Sequence, residues 1–555
     1  MKKFRIFFIL YLLSVPSFSL GEDLYEDQLN RGIKNSEPYS YLLIQQSKTD
    51  RVRAGSLLKE AQRYSPDFPP VYFELSKTSF SLKAPGLFET FDYIRQGIDA
   101  YKRNFWWSFM LSASLFTGII LSFIVSIFIL ILVRVPGDMP LFFHDIKETR
   151  NRLLLLLSFV FALLGPLYLL GCLLMLIIFY RGKWDRIVFY LYILFLFLLP
   201  WVLNVFSLVL DTSASGAFKA IVRVNESKGN AYALSLLRDG KDPAEIFSYA
   251  LALKREGKYD AAIESYNKLV RTSPEPRTYN NLANCYFAMN NFDKAKELYM
   301  KSKELKPLPS ALYNLSQAYR ETFVFDKGDE YFLSAQALNR EAVSQFRAIA
   351  GRNPNRFVID ETLTFFEMLK YIQRKTVRSS TFGFSVLPPL AMPFIAFFMA
   401  VFFFISDSRF KGWAYRCKRC GKILCSKCEK HILWGHMCLQ CYRSLVKIEE
   451  LDAKERVARL LTVYEHRKKK RFVIKIISFL LPGLAQIYAG NVLQGLIFLW
   501  PFLLFLFIPV MNTVFTIEMS GFSHFWINLL SLIFLFIIYV LSNIVTRRRI
   551  AKGWL

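Results

Sequence analysis

Histidine, the commonest acid–base residue of catalytic sites, is scarce in this chain. The chain has 5 histidines among 555 residues, and it contains no HExxH, Walker-loop or GxSxG motif and no GxGxxG before a helix. Acidic residues are essentially absent from its long apolar segments, so a proton or ion pathway has no visible ligands. These absences argue against a pump or transporter, and we expect that the protein is not an enzyme. A membrane enzyme with an unrecognised site stays open as an alternative.

Cysteine is also scarce, with 8 residues in all, but six of them lie between positions 417 and 441. They form three Cys-x-x-Cys pairs accompanied by two histidines, and the candidate metal ligands are Cys417, Cys420, Cys425, Cys428, His431, His436, Cys438 and Cys441. Each pair can hold one side of a tetrahedral ion, so we expect structural zinc, with one or two ions. A disulfide cluster or a redox pair fits less well in a basic segment between apolar stretches.

The assignment of ligands to ions stays open. The outer pairs have 17 residues between them, which fits a zinc ribbon made by Cys417, Cys420, Cys438 and Cys441. A second ion would then be held by Cys425, Cys428, His431 and His436. The run Cys-x-x-Cys-Gly-x-x-x-Cys-x-x-Cys resembles the middle of two-zinc modules of the FYVE and RING type. Their first ligand pair is missing here, so their lipid or ubiquitin chemistry is not implied.

Long apolar segments indicate a multi-pass membrane protein. The chain is 53% hydrophobic with a mean hydropathy of +0.27. Six segments have about the length needed to cross a bilayer: 105–133, 153–180, 187–210, 382–405, 492–510 and 524–545. Residues 1–21 are basic, then apolar, then small, which is typical of a signal peptide. The signal would place residues 22–104 outside the cytoplasm.

The charge distribution conflicts with a simple count of these segments. Residues 409–475 carry 19 Lys and Arg against 6 Asp and Glu, and basic runs at 468–471 and 547–549 flank the last two apolar segments. The positive-inside rule therefore predicts a cytoplasmic cysteine segment and a cytoplasmic C-terminus. Four crossings after an external N-terminus would instead leave the cysteine segment outside. Residues 382–405, which contain three prolines, are our candidate for a segment that does not cross, and the side on which 211–380 lies stays open.

Residues 243–342 contain an internal repeat. Ala262, Tyr266 and Pro274 recur 33 residues later as Ala295, Tyr299 and Pro307. Small residues let paired helices approach, aromatic residues fill the space between pairs, and prolines end each second helix. The pattern resembles tetratricopeptide repeats, with a degenerate third repeat. The resemblance implies a concave groove that binds a protein partner, and we expect it to be lined by Asn280, Asn281, Asn284 and Lys294.

The C-terminal segment carries a smaller signature. Residues 481–490 read Leu-Pro-Gly-Leu-Ala-Gln-Ile-Tyr-Ala-Gly and precede an apolar helix. This resembles the Pro-Gly-x-x-Gln-x-Tyr-x-Gly motif of small bacterial membrane-hairpin domains, and it implies the inner membrane of a bacterium. Pro482 and Gly483 should break a helix, so that residues 473–490 do not cross the membrane, and Gln486 and Tyr488 should satisfy the freed backbone groups.

The sequence thus predicts a mainly α protein with polytopic membrane helices, tetratricopeptide-like repeats and a small zinc-binding module. The predicted divisions are 1–21 signal peptide, 22–104 extracytoplasmic helical domain with divergent repeats, 105–210 three transmembrane helices, 211–380 repeats, 382–405 membrane segment, 409–472 basic zinc module and 473–555 membrane hairpin. We expect a membrane-anchored scaffold that contacts protein partners and membrane lipids. The alternative is a nucleic-acid or ribosome contact made by the basic zinc module, although that module has few aromatic residues for base stacking.

Overall fold

The computed structural model describes residues 25–552 except 27, 30–31, 149–162, 164, 179, 181, 353–357, 376–390, 410–413, 426–436, 446–451 and 516–524. The predicted signal peptide and three candidate ligands, Cys428, His431 and His436, lie outside the described residues. The described residues are mostly helical, which confirms the mainly α fold class. They divide into two compact units, one within the bounds 1–109 and 208–378 and the other within 110–207 and 379–555.

The first unit consists of helical pairs. Its N-terminal helices are α1 (Glu37–Thr49), α2 (Ala54–Tyr64), α3 (Pro69–Thr78) and α4 (Ala84–Arg103). In the described part of the chain, three apolar helices follow, α5 (Phe105–Glu148), α6 (Pro166–Ile178) and α7 (Lys183–Ala214). The first unit then continues with ten described helices, α8 (Gly216–Asn225), α9 (Ala231–Leu236), α10 (Pro243–Arg255), α11 (Tyr259–Thr272), α12 (Pro276–Ala288), α13 (Phe292–Leu305), α14 (Pro309–Glu321), α15 (Phe325–Leu338), α16 (Arg340–Arg352) and α17 (Phe365–Lys375).

Local sequence fixes the ends of the repeat helices. Helices α10, α12 and α14 each have proline in the first turn, where the missing N–H costs nothing. Asp242 also closes a capping box with Glu245 at the start of α10. The predicted spacing residues Ala262, Tyr266, Ala295 and Tyr299 are fully buried between the helices. The residues that recur every 33 positions are therefore core residues, and the pattern arises from the packing of the helices.

The N-terminal helices pack directly on the segment that begins the repeats. The backbone N–H of Lys34 donates to the carbonyl of Ser227 at 2.8 Å, and the Asn35 side chain donates to the carbonyl of Glu226 at 3.0 Å. The buried ammonium of Lys228 pairs with Glu37 at 2.8 Å and with Glu226 at 2.6 Å. Residues 25–104 and 216–375 therefore form one folded body.

The second unit contains the apolar helices. They are α5 from residue 110, α6 (Pro166–Ile178), α7 up to residue 207, α18 (Met392–Arg409), α20 (Ala453–Leu480), α21 (Leu484–Ala489), α22 (Val492–Phe515) and α23 (Phe525–Ala551). Four stretches within these helices are long and apolar enough to cross a membrane, Phe105–Lys147, Trp184–Ala214, Val492–Val514 and Phe525–Ala551. Within the predicted segment 153–180, the described residues include one helix, the 13-residue α6.

The C-terminal signature residues form a tight corner between α20 and α22. Gly483 and Gly490 have positive φ angles of +83° and +103°. A Cβ on Gly483 would overlap the carbonyl oxygen of Gly495, so only glycine allows this approach. The Gly483 N–H donates to Ser542 at 3.0 Å, and the buried Gln486 amide donates to the hydroxyl of Thr546 at 2.8 Å.

An arginine that sequence reasoning did not single out completes this corner. Arg134 of α5 donates to the carbonyls of Ile487 and Tyr488 at 3.3 and 3.0 Å, and it pairs with Asp138 at 2.6 Å. The helix break at residues 482–483 is as predicted. Arg134 and Ser542, which lie far away in sequence, satisfy backbone groups that Gln486 and Tyr488 were expected to satisfy.

Candidate metal site and repeat groove

The cysteine segment begins with a short hairpin. Strand β1 (Tyr415–Arg416) pairs antiparallel with β2 (Ile423–Leu424). The turn between them carries the first Cys-x-x-Cys pair, with the Cys417 N–H donating to the carbonyl of Lys422 at 2.8 Å and the Gly421 N–H donating to the carbonyl of Cys417 at 3.0 Å. Gly421 closes the turn with a φ of +81°, in the region that favours glycine.

A second Cys-x-x-Cys pair meets this turn from the start of a short helix, α19 (Leu439–Leu445). The N–H of Cys438 points to the sulfur of Cys417 at 3.4 Å, and the N–H of Cys441 points to the sulfur of Cys438 at the same distance. The sulfurs of Cys417, Cys420, Cys438 and Cys441 all lie within 4.8 Å of one another. The four cysteines that the 17-residue spacing groups together are therefore brought together by the fold.

The geometry of these sulfurs suits a tetrahedral ion. Sulfurs bound at about 2.3 Å to one zinc ion would be separated by about 3.8 Å at the tetrahedral angle. The Cys420 and Cys438 sulfurs are 3.7 Å apart, far beyond a disulfide bond, and none of the four cysteines is disulfide-bonded. Three of the four side chains are buried and the fourth is half-buried. The four cysteines can therefore hold a metal ion.

The thiols of the group differ in acidity. Burial opposes ionisation of Cys417, but the backbone N–H groups of Cys420, Cys438 and Arg419 outweigh it and lower the pKa of its thiol to about 7. Burial raises the pKa of Cys438 to about 11. Backbone donors thus favour the thiolate of Cys417, and a bound cation would have to favour ionisation of Cys438.

Of the remaining predicted ligands, the structure describes Cys425, which is not part of this group. Cys425 is buried in a separate apolar cluster with Leu141 and Ala414. Cys428, His431 and His436 lie outside the described residues, so the second ion stays a prediction.

Three contacts around the cysteine group were not anticipated from the sequence. The ring of His466, on α20, lies over Gly421, so that a Cβ there would be 2.7 Å from its Cε1 atom. The carboxylate of Asp145 accepts from the Ala414 N–H at 3.1 Å, and Arg416 donates to the carbonyl of Gly137 at 2.7 Å. The end of α5 and the basic helix α20 therefore support the hairpin. All three partners are distant in sequence, and no motif marks them.

The predicted groove of the repeats is occupied by the same chain. Residues 358–364, here called the groove segment, run without regular secondary structure between α16 and α17. They cover Asn280, Asn281 and Asn284, whose side chains are fully buried. Lys294 does not line the groove, because it is exposed on α13 and pairs with Glu297. The expectation of an open groove is therefore corrected, since its asparagines face the chain itself.

Side-chain amides hold the backbone of the groove segment. Asn314 donates to the carbonyl of Ile359 at 2.8 Å and accepts from its N–H at 2.7 Å. Asn281 makes the same pair of bonds with Glu361, both at 2.8 Å. Asn225 of α8 accepts from the Leu363 N–H at 2.8 Å. The groove segment thus runs across the repeat helices from α14, past α12, to α8.

Cations and an amide bind the acidic side chains of this region. Asp360 accepts from Lys254 at 2.7 Å and from Asn284 at 2.9 Å. Farther along, Glu367 of α17 pairs with Arg277. Burial opposes ionisation of Glu367, but hydrogen bonds from Arg277 and Thr364 prevail and hold its pKa below the usual value. The groove therefore favours an extended, acidic occupant.

Comparison with known protein families supports the repeat prediction. Two models of the tetratricopeptide repeat match, at residues 246–276 and 276–307. The matches correspond to α10 with α11 and to α12 with α13, and they confirm tetratricopeptide repeats in this part of the chain. The third predicted repeat has the same two-helix form in α14 and α15. No curated protein matches the chain.

Proposed function

We propose that the protein is a membrane-anchored scaffold that binds protein partners through its tetratricopeptide repeats. The observation that carries this proposal is the groove itself, in which buried side-chain amides hold an extended backbone. Repeat arrays use such concave surfaces for protein recognition. Four apolar helices of membrane-spanning length supply the anchor, and we propose the inner membrane of a bacterium as its location.

Photo-crosslinking in intact cells tests the scaffold. Phe323 lies in the turn between α14 and α15 and is 81% exposed. A photoreactive phenylalanine analogue at this position should give adducts of discrete protein mass. The same analogue at Phe536, exposed on the apolar helix α23, is the matched control and should give lipid adducts. The absence of protein adducts at Phe323 and at the similarly exposed Phe88 of α4 would contradict a scaffold role.

We also propose a membrane topology. Residues 25–104 and 216–375 share one compartment, because buried ion pairs and backbone hydrogen bonds join them. Three crossings between residues 105 and 210 would separate them, whereas two would not. Between residues 105 and 214, the described part of the chain contains two stretches long and apolar enough to cross a membrane, and they lie in α5 and α7. We therefore assign the two crossings to α5 and α7.

This arrangement removes the conflict between the signal peptide and the charge distribution. An external N-terminal segment then implies external repeats, and α18 crosses inward. The apolar segment 382–405, which contains most of α18, is 24 residues long in the sequence, about the length that a crossing needs. The cysteine segment and the C-terminus become cytoplasmic, as their basic residues require. The cysteine hairpin also contacts the end of α5, the end that an inward crossing would deliver to the cytoplasm.

Labelling with a membrane-impermeant maleimide tests this topology. Single cysteines at Lys59 and Lys306, both exposed, should be labelled on intact cells. A cysteine at exposed Lys468 should be labelled only after permeabilisation. The wild-type chain measures the background from native cysteines. Labelling of position 59 without position 306 would overturn the shared compartment.

For the metal site we propose structural zinc bound by Cys417, Cys420, Cys438 and Cys441. The supporting observations are the mutual sulfur distances and the burial of the group. All four positions of a tetrahedral ion would be filled by protein, so zinc would hold the hairpin to α19 and supply no catalysis. Elemental analysis of the purified chain should find at least one zinc, lost with Cys438→Ser and retained with Cys285→Ser in the repeat core. No zinc with all four thiols oxidised would refute the site.

The basic helix α20 supports a further contact with membrane lipids. Val457, Leu461 and Tyr464 are exposed on one face, 65%, 57% and 63% respectively, and Arg and Lys residues surround them. An apolar stripe flanked by cations is typical of a helix lying at an anionic membrane surface. Replacing Val457 and Leu461 with serine should weaken binding of the basic segment to anionic vesicles. Unchanged vesicle binding together with tight RNA binding would favour the nucleic-acid alternative.

A further inference from the structure

We infer that the repeat groove is a site for an extended acidic peptide segment, which the chain fills with its own residues 358–364 and which a partner segment of the same chemistry fills in exchange. The inference rests on the proposed scaffold function and specifies its binding site. It names both the occupant of the groove and the chemistry of the partner that replaces it.

Recognition of the backbone is independent of sequence. Asn314 and Asn281 each bind both the N–H and the carbonyl of one residue, and those residues are two apart, Ile359 and Glu361. Alternate residues of an extended chain face the same side. The two amides are therefore spaced for any extended peptide, in the way that a neighbouring strand would be.

Recognition of side chains is specific for an apolar residue followed by a carboxylate. Ile359 packs against the cluster that contains Leu312, Tyr313 and Val343. The next residue, Asp360, meets Lys254 at 2.7 Å and Arg255 at 3.8 Å. The side chains of both cations are largely buried, 11% and 3% exposed, so an uncharged occupant would remove the carboxylate that pairs with them.

The groove segment is attached in a manner suited to exchange. As whole residues, 358–363 are half-buried, with the Asp360 side chain 7% exposed, whereas the asparagines beneath them are fully buried. Removing the segment without a replacement would leave the buried amides without hydrogen-bond partners and the cations without a carboxylate, which is energetically unfavourable. A partner segment with the same backbone and the same carboxylate would satisfy those groups again. The groove therefore excludes unrelated peptides and admits an acidic one by competition.

Competition between the groove segment and an added peptide determines the affinity that we expect for the peptide. A segment tethered on a short linker acts at an effective concentration in the millimolar range, so it masks the site from free peptide. The probe is a fluorescent peptide with the sequence of residues 357–365, added to the full chain in lipid nanodiscs. Wild type should bind it weakly. The double substitution Ile359→Gly, Asp360→Ala should release the groove and tighten peptide binding at least tenfold.

Two controls define specificity. Adding Asn284→Ala to the double variant should abolish peptide binding, because Asn284 binds both the Ile359 carbonyl and the Asp360 carboxylate. A peptide with lysine in place of Asp360 should not bind. A double variant that binds no better than wild type, or that binds both peptides equally, would overturn the inference.

Hydrogen exchange of the unmodified chain decides whether the segment detaches. The amides of Ile359, Glu361 and Leu363 should exchange at least a hundredfold faster than those of Leu282 and Leu315 in the repeat core, because release opens them locally. Equal protection would mean that the segment is inseparable from the fold, and the inference would fall. If crosslinking at Phe323 captures a protein while these tests fail, the scaffold stands and only the groove assignment is lost.

Discussion

Replacing Lys228 with methionine tests the packing of the N-terminal helices on the repeat unit. Its side chain is 8% exposed, and its ammonium lies 2.6 Å from Glu226 and 2.8 Å from Glu37. It also donates to the Asn104 side chain at 3.3 Å. Methionine retains most of the side-chain volume but leaves two carboxylates facing each other in a buried site. Loss of one partner from such a site typically costs about 3–5 kcal/mol.

Hydrogen exchange is the appropriate assay, because a chain with two compact units does not unfold in one step. We expect the free energy of opening measured for amides of α8 to fall by about 3–5 kcal/mol in Lys228→Met. Lys219→Met is the matched control, since Lys219 is exposed on α8. It should change the same amides by less than about 0.5 kcal/mol.

A compensating variant separates charge from packing. Adding Glu37→Gln and Glu226→Gln to Lys228→Met removes both stranded charges, so part of the lost stability should return. If Lys228→Met behaves like Lys219→Met, the ion triad does not join the N-terminal helices to α8. The shared compartment proposed for residues 25–104 and 216–375 would then lose its main support.

Three further outcomes follow from single contacts. Gly421→Ala should speed zinc release to a colorimetric chelator. A residue with a Cβ is strained at a φ of +81°, and the Cβ would lie 2.7 Å from the ring of His466. Release at the wild-type rate would contradict this prediction. Asp67 pairs with Lys34 and with Arg103, each at 2.6 Å. Burial opposes its ionisation, but these two cations hold its pKa below the usual value. Its contribution to stability is therefore present above about pH 4 and is lost as the pH falls further. Asp67→Asn should therefore destabilise the N-terminal helices at pH 7, and their stability should fall less steeply as the pH is lowered below about 4. An unchanged dependence of stability on pH would refute the role of Asp67. Gln486→Leu should weaken the C-terminal corner by about 1–3 kcal/mol in detergent unfolding, because it leaves Thr546 without its buried donor.

Periodic and closely spaced features were predictable from the sequence. The 33-residue recurrence of Ala262 and Tyr266 indicated helical pairs because small and aromatic residues at that period fill one core. The spacing of Cys417, Cys420, Cys438 and Cys441 indicated which four sulfurs would meet. Both signals are local or strictly periodic, so they are visible without knowledge of the tertiary structure.

Features that depend on distant partners were not predictable. Asn281 was expected to face a partner because a polar residue on a repeat helix normally faces solvent. It is buried because Glu361, 80 residues later, supplies a backbone to bind. His466 lies over Gly421, and Arg134 caps the corner at residues 487–488, by the same kind of long-range contact. No local pattern encodes such pairs.

The long sequence separation within the first unit has a consequence for biosynthesis. Asn35 binds the carbonyl of Glu226, 191 residues later, and the two apolar helices α5 and α7 lie between them in the chain. The N-terminal helices therefore emerge long before the surface that they cover exists. Under the proposed topology, their final folding step comes after membrane insertion of α5 and α7, and the groove is filled only when residues 358–364 follow. We expect a nascent chain halted after residue 215 to be degraded rapidly by proteases outside the cytoplasm, unlike one halted after residue 378.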